Sequence, residues 1–554
     1  MSLTSEALSS ALDPPPFDPV QPSIPISYPL KTIQELESRA YFKSFHYPFN
    51  KSSVPLKSSV LDDRPRILVC HDMQGGYVDD KWVQGGKNES AYAIWHWYLI
   101  DIFVYFSHNL VTLPPPCWTN TAHRHGVKVL GTFITEGSDG IETCNKLLAT
   151  KESAQMYAER LAELAADLGF DGWLMNIEVS LDPSQIPNLK EFISHLTETM
   201  HSSVPGSLVI WYDSVTITGE LSYQNQLNER NKPFFDICDG IFANYWWEED
   251  YPKLSAAVAG DRKYDVYMGI DVFGRGTYGG GEWNTNVALD VCKKDDVSAV
   301  LFAPGWVYET KQPPDFQTAQ NKAMAIIFLL KEGKSQMLLG IIYLPKAFRP
   351  KPEIGKLSLE HKSDGHNDKL AQGPSEYFAV LGHITIKTSK DNPVFPPSSS
   401  WLVEGQYIKW SSGSQGSKSL NVKIAWKLKD GSNFQSSKYN IYVEKLAKTT
   451  VGNSGGRVEG IQEYIGVAYV EAFYVYDLSI PSTTTTLKFI IQVCGVDGAS
   501  QKLDDSPYYQ LDVEASNHVT IPIRNYGEMT SSRRLGLMQI QGEDYYQAQG
   551  LWDT

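Results

Sequence analysis

From Arg66 onward the chain repeats one pattern: a short apolar run, a stretch of loop residues, then an amphipathic segment. The runs are RILVCHDM (66–73), IDIFVYFSH (100–108), VKVLGTFIT (127–135), GWLMNIEV (172–179), SLVIWYDSV (207–215), DGIFANYWW (239–247), VYMGIDVFG (266–274) and VSAVLFAPGWV (297–307). Between the third and fourth runs, SAQMYAERLAELAADLG puts Leu161, Leu164 and Leu168 on one helical face, with Gly169 as a stop signal. PNLKEFISHLTETMH follows the fourth run in the same style. Eight buried strands alternating with helices over about 250 residues predict a (β/α)8 TIM barrel. A doubly wound open sheet would give similar runs, but no Gly-x-Gly-x-x-Gly follows the first one, and the barrel is the better reading.

The barrel is expected over residues 61–330, closed by the helix TAQNKAMAIIFLLK. Residues 1–60, rich in Pro and Ser, read as an N-terminal arm that wraps the barrel or is partly disordered, and residues 331–372 as an irregular junction. Over 373–525 the pattern changes to alternation with Gly, Ser and Asn turns: WLVEGQYIKW, SLNVKIAWKL, YNIYVEKL, EYIGVAYVEAFYVYDL, TLKFIIQVCGV and YYQLDVEA. These six runs predict a β-sandwich domain, with 526–554 as a C-terminal tail.

Composition narrows the partners. A net charge of −15 over 554 residues argues against nucleic acid or an anionic membrane surface. The segment Ala323 to Leu330 is eight residues long, too short to span a bilayer. The N-terminus has no basic start and is interrupted by Asp13 and Pro14, so it is not expected to be a secretory signal. Six scattered cysteines suggest a reduced, cytosolic protein, in which the sequons at Asn50 and Asn88 go unused. His71 and the His123-Arg124-His125 cluster lack further ligands at metal spacing, so neither metal nor cofactor is expected.

The candidate chemistry lies where barrels keep it, at the C-terminal ends of the strands. The fourth run presents Asn176 and Glu178, two residues apart and so on one face, while Met175 and Ile177 pack on the other. Around them the rim carries His71-Asp72, Ser107-His108, Phe133 to Glu136, Trp211-Tyr212-Asp213, Asn244 to Trp247, Asp271 and Trp306. Polar and aromatic groups on one rim suit a cleft that stacks on sugar faces and hydrogen-bonds hydroxyls. Trp211 and Trp306 also have the plainer reading of rim packing. Glu178 is the natural proton donor. Its partner is either Asp271, giving a two-carboxylate enzyme, or the substrate's own 2-acetamido group, polarised by Asn176 with help from Tyr212.

The motifs HDMQGGY (71–77), FVYFSH (103–108), GFDGWLMNIE (169–178), WYDSV (211–215), QNQLNERN (224–231), NYWW (244–247) and FAPGWVYE (302–309) resemble the cytosolic endo-β-N-acetylglucosaminidases of glycoside hydrolase family 85, from about Tyr28 to Lys311. The resemblance implies cleavage of the N-glycan chitobiose core between its two GlcNAc residues, with retention, by substrate assistance. It implies Asn176 as the amide-orienting residue, Glu178 as acid/base and Tyr212 as the supporting hydroxyl. Tyr223, Trp246, Trp247 and Phe133 become candidate substrate-binding residues. N-linked glycans, free oligosaccharides or glycopeptides are the implied partners, with transfer to acceptor sugars as a side activity. Residues 322–372 depart from the family pattern. A chitinase-like hydrolase ranks lower because Asn176 stands where those sites carry the Asp of an Asp-x-Glu series. An inactive glycan-binding protein is the alternative from another class.

Overall fold

The computed structural model describes residues 25–331 and 395–513, with short breaks at 45–46, 57–60, 74–78, 86–90, 413–417, 435, 448–461 and 496–498, and a hairpin of Met538–Ile540 with Glu543–Tyr545. Apart from Lys331 and that hairpin, the expected junction and the expected tail lie outside the described residues.

Eight strands form the first unit: β1 Ile67–His71, β2 Ile102–Tyr105, β3 Lys128–Glu136, β4 Gly172–Glu178, β5 Leu208–Tyr212, β6 Gly240–Ala243, β7 Val266–Asp271 and β8 Ser298–Phe302. Each pairs in parallel with the next, and β8 pairs in parallel with β1, so the sheet closes. A two-residue strand, Val111–Thr112, adds antiparallel to β3. Each of the eight apolar runs read from the sequence marks one barrel strand, with β3 extending one residue past its run to Glu136.

Alternation splits the apolar residues into two layers. Leu68, Val104, Leu130, Leu174, Ile210 and Val300 fill the barrel interior. Val69, Val129, Trp173, Met175 and Ile177 face outward onto the helices. Helix α1, Lys151–Leu168, is capped by the Thr150 hydroxyl, which accepts from the Ser153 N–H at 3.1 Å, and it ends at Gly169 with φ 77°. It buries Leu161, Leu164 and Leu168 as the spacing predicts, and packs beside α2, Ile186–Ser203.

The barrel's foot repeats one device. Asp101, Asp171 and Asp239 each directly precede a strand and accept the first or second N–H of the strand before it: Ile67 at 2.9 Å, Val129 at 2.8 Å and Val209 at 2.7 Å. This satisfies N–H groups that the ladder leaves open. At the same end a Cβ on Gly172 would lie 1.8 Å from the Leu208 carbonyl oxygen, so only glycine, here at φ 147°, permits the β4–β5 approach.

The N-terminal arm is folded where described. Ile33–Ser38 is a helix with a Thr32–Glu35 capping box, and Ile33 and Leu36 join the outer core. Ile26 bridges Trp82 and Leu30 bridges Val111.

Among the described residues the second unit is a sandwich of seven strands: β9 Trp401–Ser412, β10 Lys418–Leu428, β11 Ser436–Ala447, β12 Gln462–Ala468, β13 Ala472–Ile480, β14 Thr484–Gly495 and β15 Tyr508–Asp512. Sheet β9-β10-β13 faces sheet β12-β11-β14-β15 across a core that includes Val422, Ile424, Ile441, Val443, Phe489 and Ile491. The run EYIGVAYVEAFYVYDL holds two strands, turning at residues 469–471 and sending its halves to different sheets. The sandwich docks on the barrel through the Gln84 side chain, whose Oε1 accepts the Tyr474 N–H at 2.9 Å, and through Arg124, stacked 5.4 Å over the Tyr469 ring.

Candidate active site

β4 delivers Asn176 and Glu178 to the interior face at its C-terminal end. The Asn176 Nδ2 donates to Glu178 Oε2 at 3.2 Å, and the Tyr223 hydroxyl donates to Glu178 Oε1 at 2.8 Å. Both partners are neutral, and burial is the larger influence: it raises the Glu178 carboxyl above its ordinary range against those two bonds, with the nearby Glu136 charge adding to the rise. Glu178 thereby keeps its proton more readily than a surface glutamate, as a general acid requires. Asn176 is 4% exposed, and its Oδ1 is a buried acceptor with no hydrogen-bond partner among the described residues. Leaving such an atom unpaired costs about 1–3 kcal/mol, so a ligand N–H reaching it would recover that energy.

Tyr212, the last residue of β5, packs edge-on against Phe242 and Tyr223. Its hydroxyl donates to Asn244 Oδ1 at 3.0 Å, and the Asn244 Nδ2 donates to Asn225 Oδ1 at 2.8 Å. Burial pushes the Tyr212 phenol well above its usual range, so it remains a donor, not a phenolate. Asp213, next in sequence, is buried and raised to about 6 by that burial, against hydrogen bonds from Asn231 and from backbone N–H groups.

The rim is charged on one side and aromatic on the other. Glu136 stands in register with Glu178 on the adjacent strand and pairs with His108 Nδ1 at 3.0 Å. Asp72, at the end of β1, is also raised by burial, with His108, His71 and Arg275 pulling the other way. Across the mouth, Trp246 is 52% exposed, its ring edge-on to Tyr223 at 5.8 Å and its Nε1 donating to the Arg275 carbonyl at 3.0 Å. Gly276, at φ 80°, cradles this indole: a Cβ there would lie 2.8 Å from the ring.

Asn176, Glu178, Tyr212, Tyr223 and Trp246 thus meet at one site. Two expected lining residues do not join them. Phe133 is fully buried and packs on Phe192 of α2, because the alternation of β3 turns Ile134 inward and Phe133 out towards the helices. Trp247 is 3% exposed: its ring stacks on Tyr278 at 5.1 Å and its Nε1 donates to the Gly269 carbonyl at 2.6 Å, so it is a packing residue. Trp211 and Trp306 are buried too, Trp211 stacked on Phe234 and Trp306 against Trp283. Asp271 is fully buried and bound by Arg275 at 2.8 and 3.0 Å and by the Arg275 N–H at 2.9 Å. The roles of Asn225, Asp213 and the Glu136–His108 pair were not read from the sequence; WYDSV, QNQLNERN and NYWW contain the first two and Asn244, but their contacts are tertiary.

Comparison with known proteins bears on the whole chain. A family model described as glycosyl hydrolase family 85 matches residues 77–333, and one described as ENGASE1-like, C-terminal immunoglobulin-like domain, matches residues 393–514. The first match includes the closing helix Phe316–Lys331, so the departure expected from residue 322 does not begin there. The chain is 46% identical over 664 residues to the Arabidopsis thaliana protein named cytosolic endo-beta-N-acetylglucosaminidase 1, covering 91% of this chain and 97% of that one. It is 47% identical over 302 residues to a Homo sapiens protein named cytosolic endo-beta-N-acetylglucosaminidase, covering 54% of this chain and 40% of that one. Among solved structures, the glycoside hydrolase domain of Endo-D from Streptococcus pneumoniae R6 superposes with a TM-score of 0.56 at 14% identity, over 88% of this chain and 99% of that chain, a likeness of fold.

Proposed function

The chain belongs to glycosyl hydrolase family 85, and from that membership we propose that it is a cytosolic endo-β-N-acetylglucosaminidase that cuts the GlcNAc-β-1,4-GlcNAc bond of the N-glycan core by substrate-assisted hydrolysis with retention. The observation that carries the mechanism is the Asn176 Oδ1, buried without a hydrogen-bond partner among the described residues and beside a carboxyl that burial pushes towards its protonated form. It is an acceptor waiting for a donor, and the N–H of a 2-acetamido group is a donor of the right kind at the right carbon.

In the first step Glu178 gives its proton to the glycosidic oxygen as the C1–O bond breaks. The substrate's acetamido carbonyl oxygen attacks C1 and closes an oxazolinium ring. Its N–H gains positive character, and the bond to Asn176 Oδ1 strengthens as it does, so Asn176 stabilises the transition state more than the ground state. Tyr212, now donating to Asn244, lies beside this amide and supports it through its hydroxyl. Glu178 is then a carboxylate, held by the Tyr223 hydroxyl and the Asn176 amide. In the second step it takes a proton from water, whose oxygen attacks C1 from the face the leaving sugar vacated while the oxazolinium ring's C1–O bond breaks, returning its electron pair to the acetamido oxygen and restoring the original configuration. Trp246, exposed at the mouth, offers a stacking face for a sugar ring. N-linked glycopeptides and free oligosaccharides carrying the chitobiose core are the expected substrates.

The test is mass spectrometry of a high-mannose Asn-linked glycopeptide incubated with the purified chain. A peptide retaining one GlcNAc, with the remaining glycan released, is the expected product. Cleavage of chitin oligomers with the glycopeptide left intact would replace this reading with a chitinase-like one. Binding without cleavage by a folded protein would leave only a glycan-binding role.

A further inference from the structure

The loop from Tyr223 to Asn231 carries Tyr223 to Glu178, yet nothing in the chemistry above says what holds it there. It has no regular secondary structure, and Asn225 within it sits at φ 58°, a left-handed conformation uncommon for a side chain. Its anchor is Asp213. One carboxylate oxygen accepts the Gln224 N–H at 3.2 Å and the Asn231 Nδ2 at 3.0 Å; the other accepts the Asn225 N–H at 2.6 Å. These donors are neutral, so the buried carboxylate is spent on ordering backbone. Asn231 closes the far end of the loop, donating also to the Gln226 carbonyl at 2.8 Å and accepting the Asn228 N–H at 2.8 Å.

Two lines of contact then run from the clamp to the reacting groups. Tyr223 immediately precedes the clamped residues, and its hydroxyl reaches Glu178 at 2.8 Å. Asn225, held by its backbone, offers Oδ1 to Asn244 at 2.8 Å; this fixes the Asn244 amide with its own Oδ1 towards the Tyr212 hydroxyl at 3.0 Å. We infer that Asp213 is a positioning residue for the reaction: by clamping the backbone of Gln224 and Asn225 it sets both the Tyr223 hydroxyl on the acid/base and the orientation of the Tyr212 hydroxyl. The inference rests on the assignment of Glu178 and Tyr212 made above.

Asp213→Asn keeps the volume but turns an amide N–H towards backbone donors. The expected result is a fall in kcat/KM of about a hundredfold, the scale of a small misplacement of reacting groups. With Glu178 acting as acid, kcat/KM declines as pH rises through its pKa. The Tyr223 hydroxyl favours the carboxylate, so losing that bond moves the alkaline limb to higher pH, and Asp213→Asn should move it the same way as Tyr223→Phe. In the double variant the two losses should be less than additive. An unchanged limb, or fully additive losses, in a folded Asp213→Asn protein would make Asp213 a stability residue and overturn the inference. If Asp213→Asn fails to fold, Asn225→Gly accepts the same backbone angle, leaves the Asp213 clamp on the backbone in place and removes the side chain whose Oδ1 holds Asn244. It should lower kcat/KM, with a loss that is less than additive with that of Tyr212→Phe; full activity of Asn225→Gly would overturn the inference equally. Glu178→Gln is the control, because its survival as an active enzyme would sink the functional reading itself.

Discussion

Two strand ends of this barrel each carry an acidic side chain and hold it in opposite ways. At the end of β4, Glu178 is half-buried and meets only neutral donors, the Tyr223 hydroxyl and the Asn176 amide, while a second carboxylate, Glu136, stands alongside. At the end of β7, Asp271 is fully buried yet gripped by the Arg275 guanidinium at both oxygens and by backbone N–H groups. Desolvation and a like charge favour the protonated form of the first, while the second is tied down by a guanidinium and backbone N–H groups. One is arranged to give and take a proton, the other to anchor the loop that supports Trp246 through the Arg275 carbonyl. Barrel position alone does not separate a catalytic acid from a structural one; the company each keeps does.

The sharpest way to break that contrast is Glu178→Gln. It removes the proton donor while leaving the amide volume in place, and kcat should fall by about 10²–10⁴-fold. Wild-type turnover on a glycopeptide would end the assignment. Asn176→Ala comes next. It deletes the orphaned acceptor, and the loss should be on the order of 10²-fold, as for the removal of one preorganised transition-state contact. The loss should be seen in kcat more than in KM. A change confined to KM would mean that Asn176 only binds.

Asp271→Asn is the mirror experiment. Its target touches neither Glu178 nor Asn176 among the bonds described, so the activity loss should be under about tenfold, less than 1.4 kcal/mol of barrier. If it proves deadlier than Asn176→Ala, a two-carboxylate mechanism replaces the substrate-assisted one.

The sequence made one end of this comparison readable and obscured the other. The i, i+2 spacing of Asn176 and Glu178 on a buried strand dictates a shared face, and no tertiary information is needed to see it. The fate of Asp271 depends on Arg275, four residues on in a turn whose path the sequence does not announce. Phe133 shows how one step of phase misleads. Ile134 is the register partner of Asn176, so Phe133 must point to the other side of the sheet. Applying the alternation across the pair, and not only along β4, would have found this. Trp247 follows a strand end, where periodicity no longer sets direction, and its burial was out of reach. The turn within EYIGVAYVEAFYVYDL is silent for a related reason, since Tyr469-Val470-Glu471 contains no Gly, Pro or Asn to mark it. The β-core itself was legible because period-2 alternation survives in strands such as β10.

Phe133→Ala measures the consequence of that phase. As a core residue it should cost about 3–5 kcal/mol of stability while leaving the KM of the folded enzyme unchanged. A raised KM with an unchanged melting temperature would return Phe133 to the cleft.

The smallest effects test the electrostatics of Glu178 most closely, because two neighbours are predicted to act with opposite sign. Tyr223 donates to the carboxylate and so favours ionisation; Glu136, one strand away and in register, opposes it. The acid form of Glu178 is the active one for bond cleavage, so kcat/KM is full below its pKa and lost as pH rises through it. Tyr223→Phe should therefore carry the alkaline limb upward. Glu136→Gln should carry it downward. Glu136 and His108 are both substantially exposed, so salt should shrink the Glu136 effect. The Tyr223 bond, a short contact to a half-buried carboxyl, should be less sensitive. Two limbs moving the same way would mean that Glu178 is not the group being titrated, and its environment would then have to be compared afresh with that of Asp72 at the end of β1.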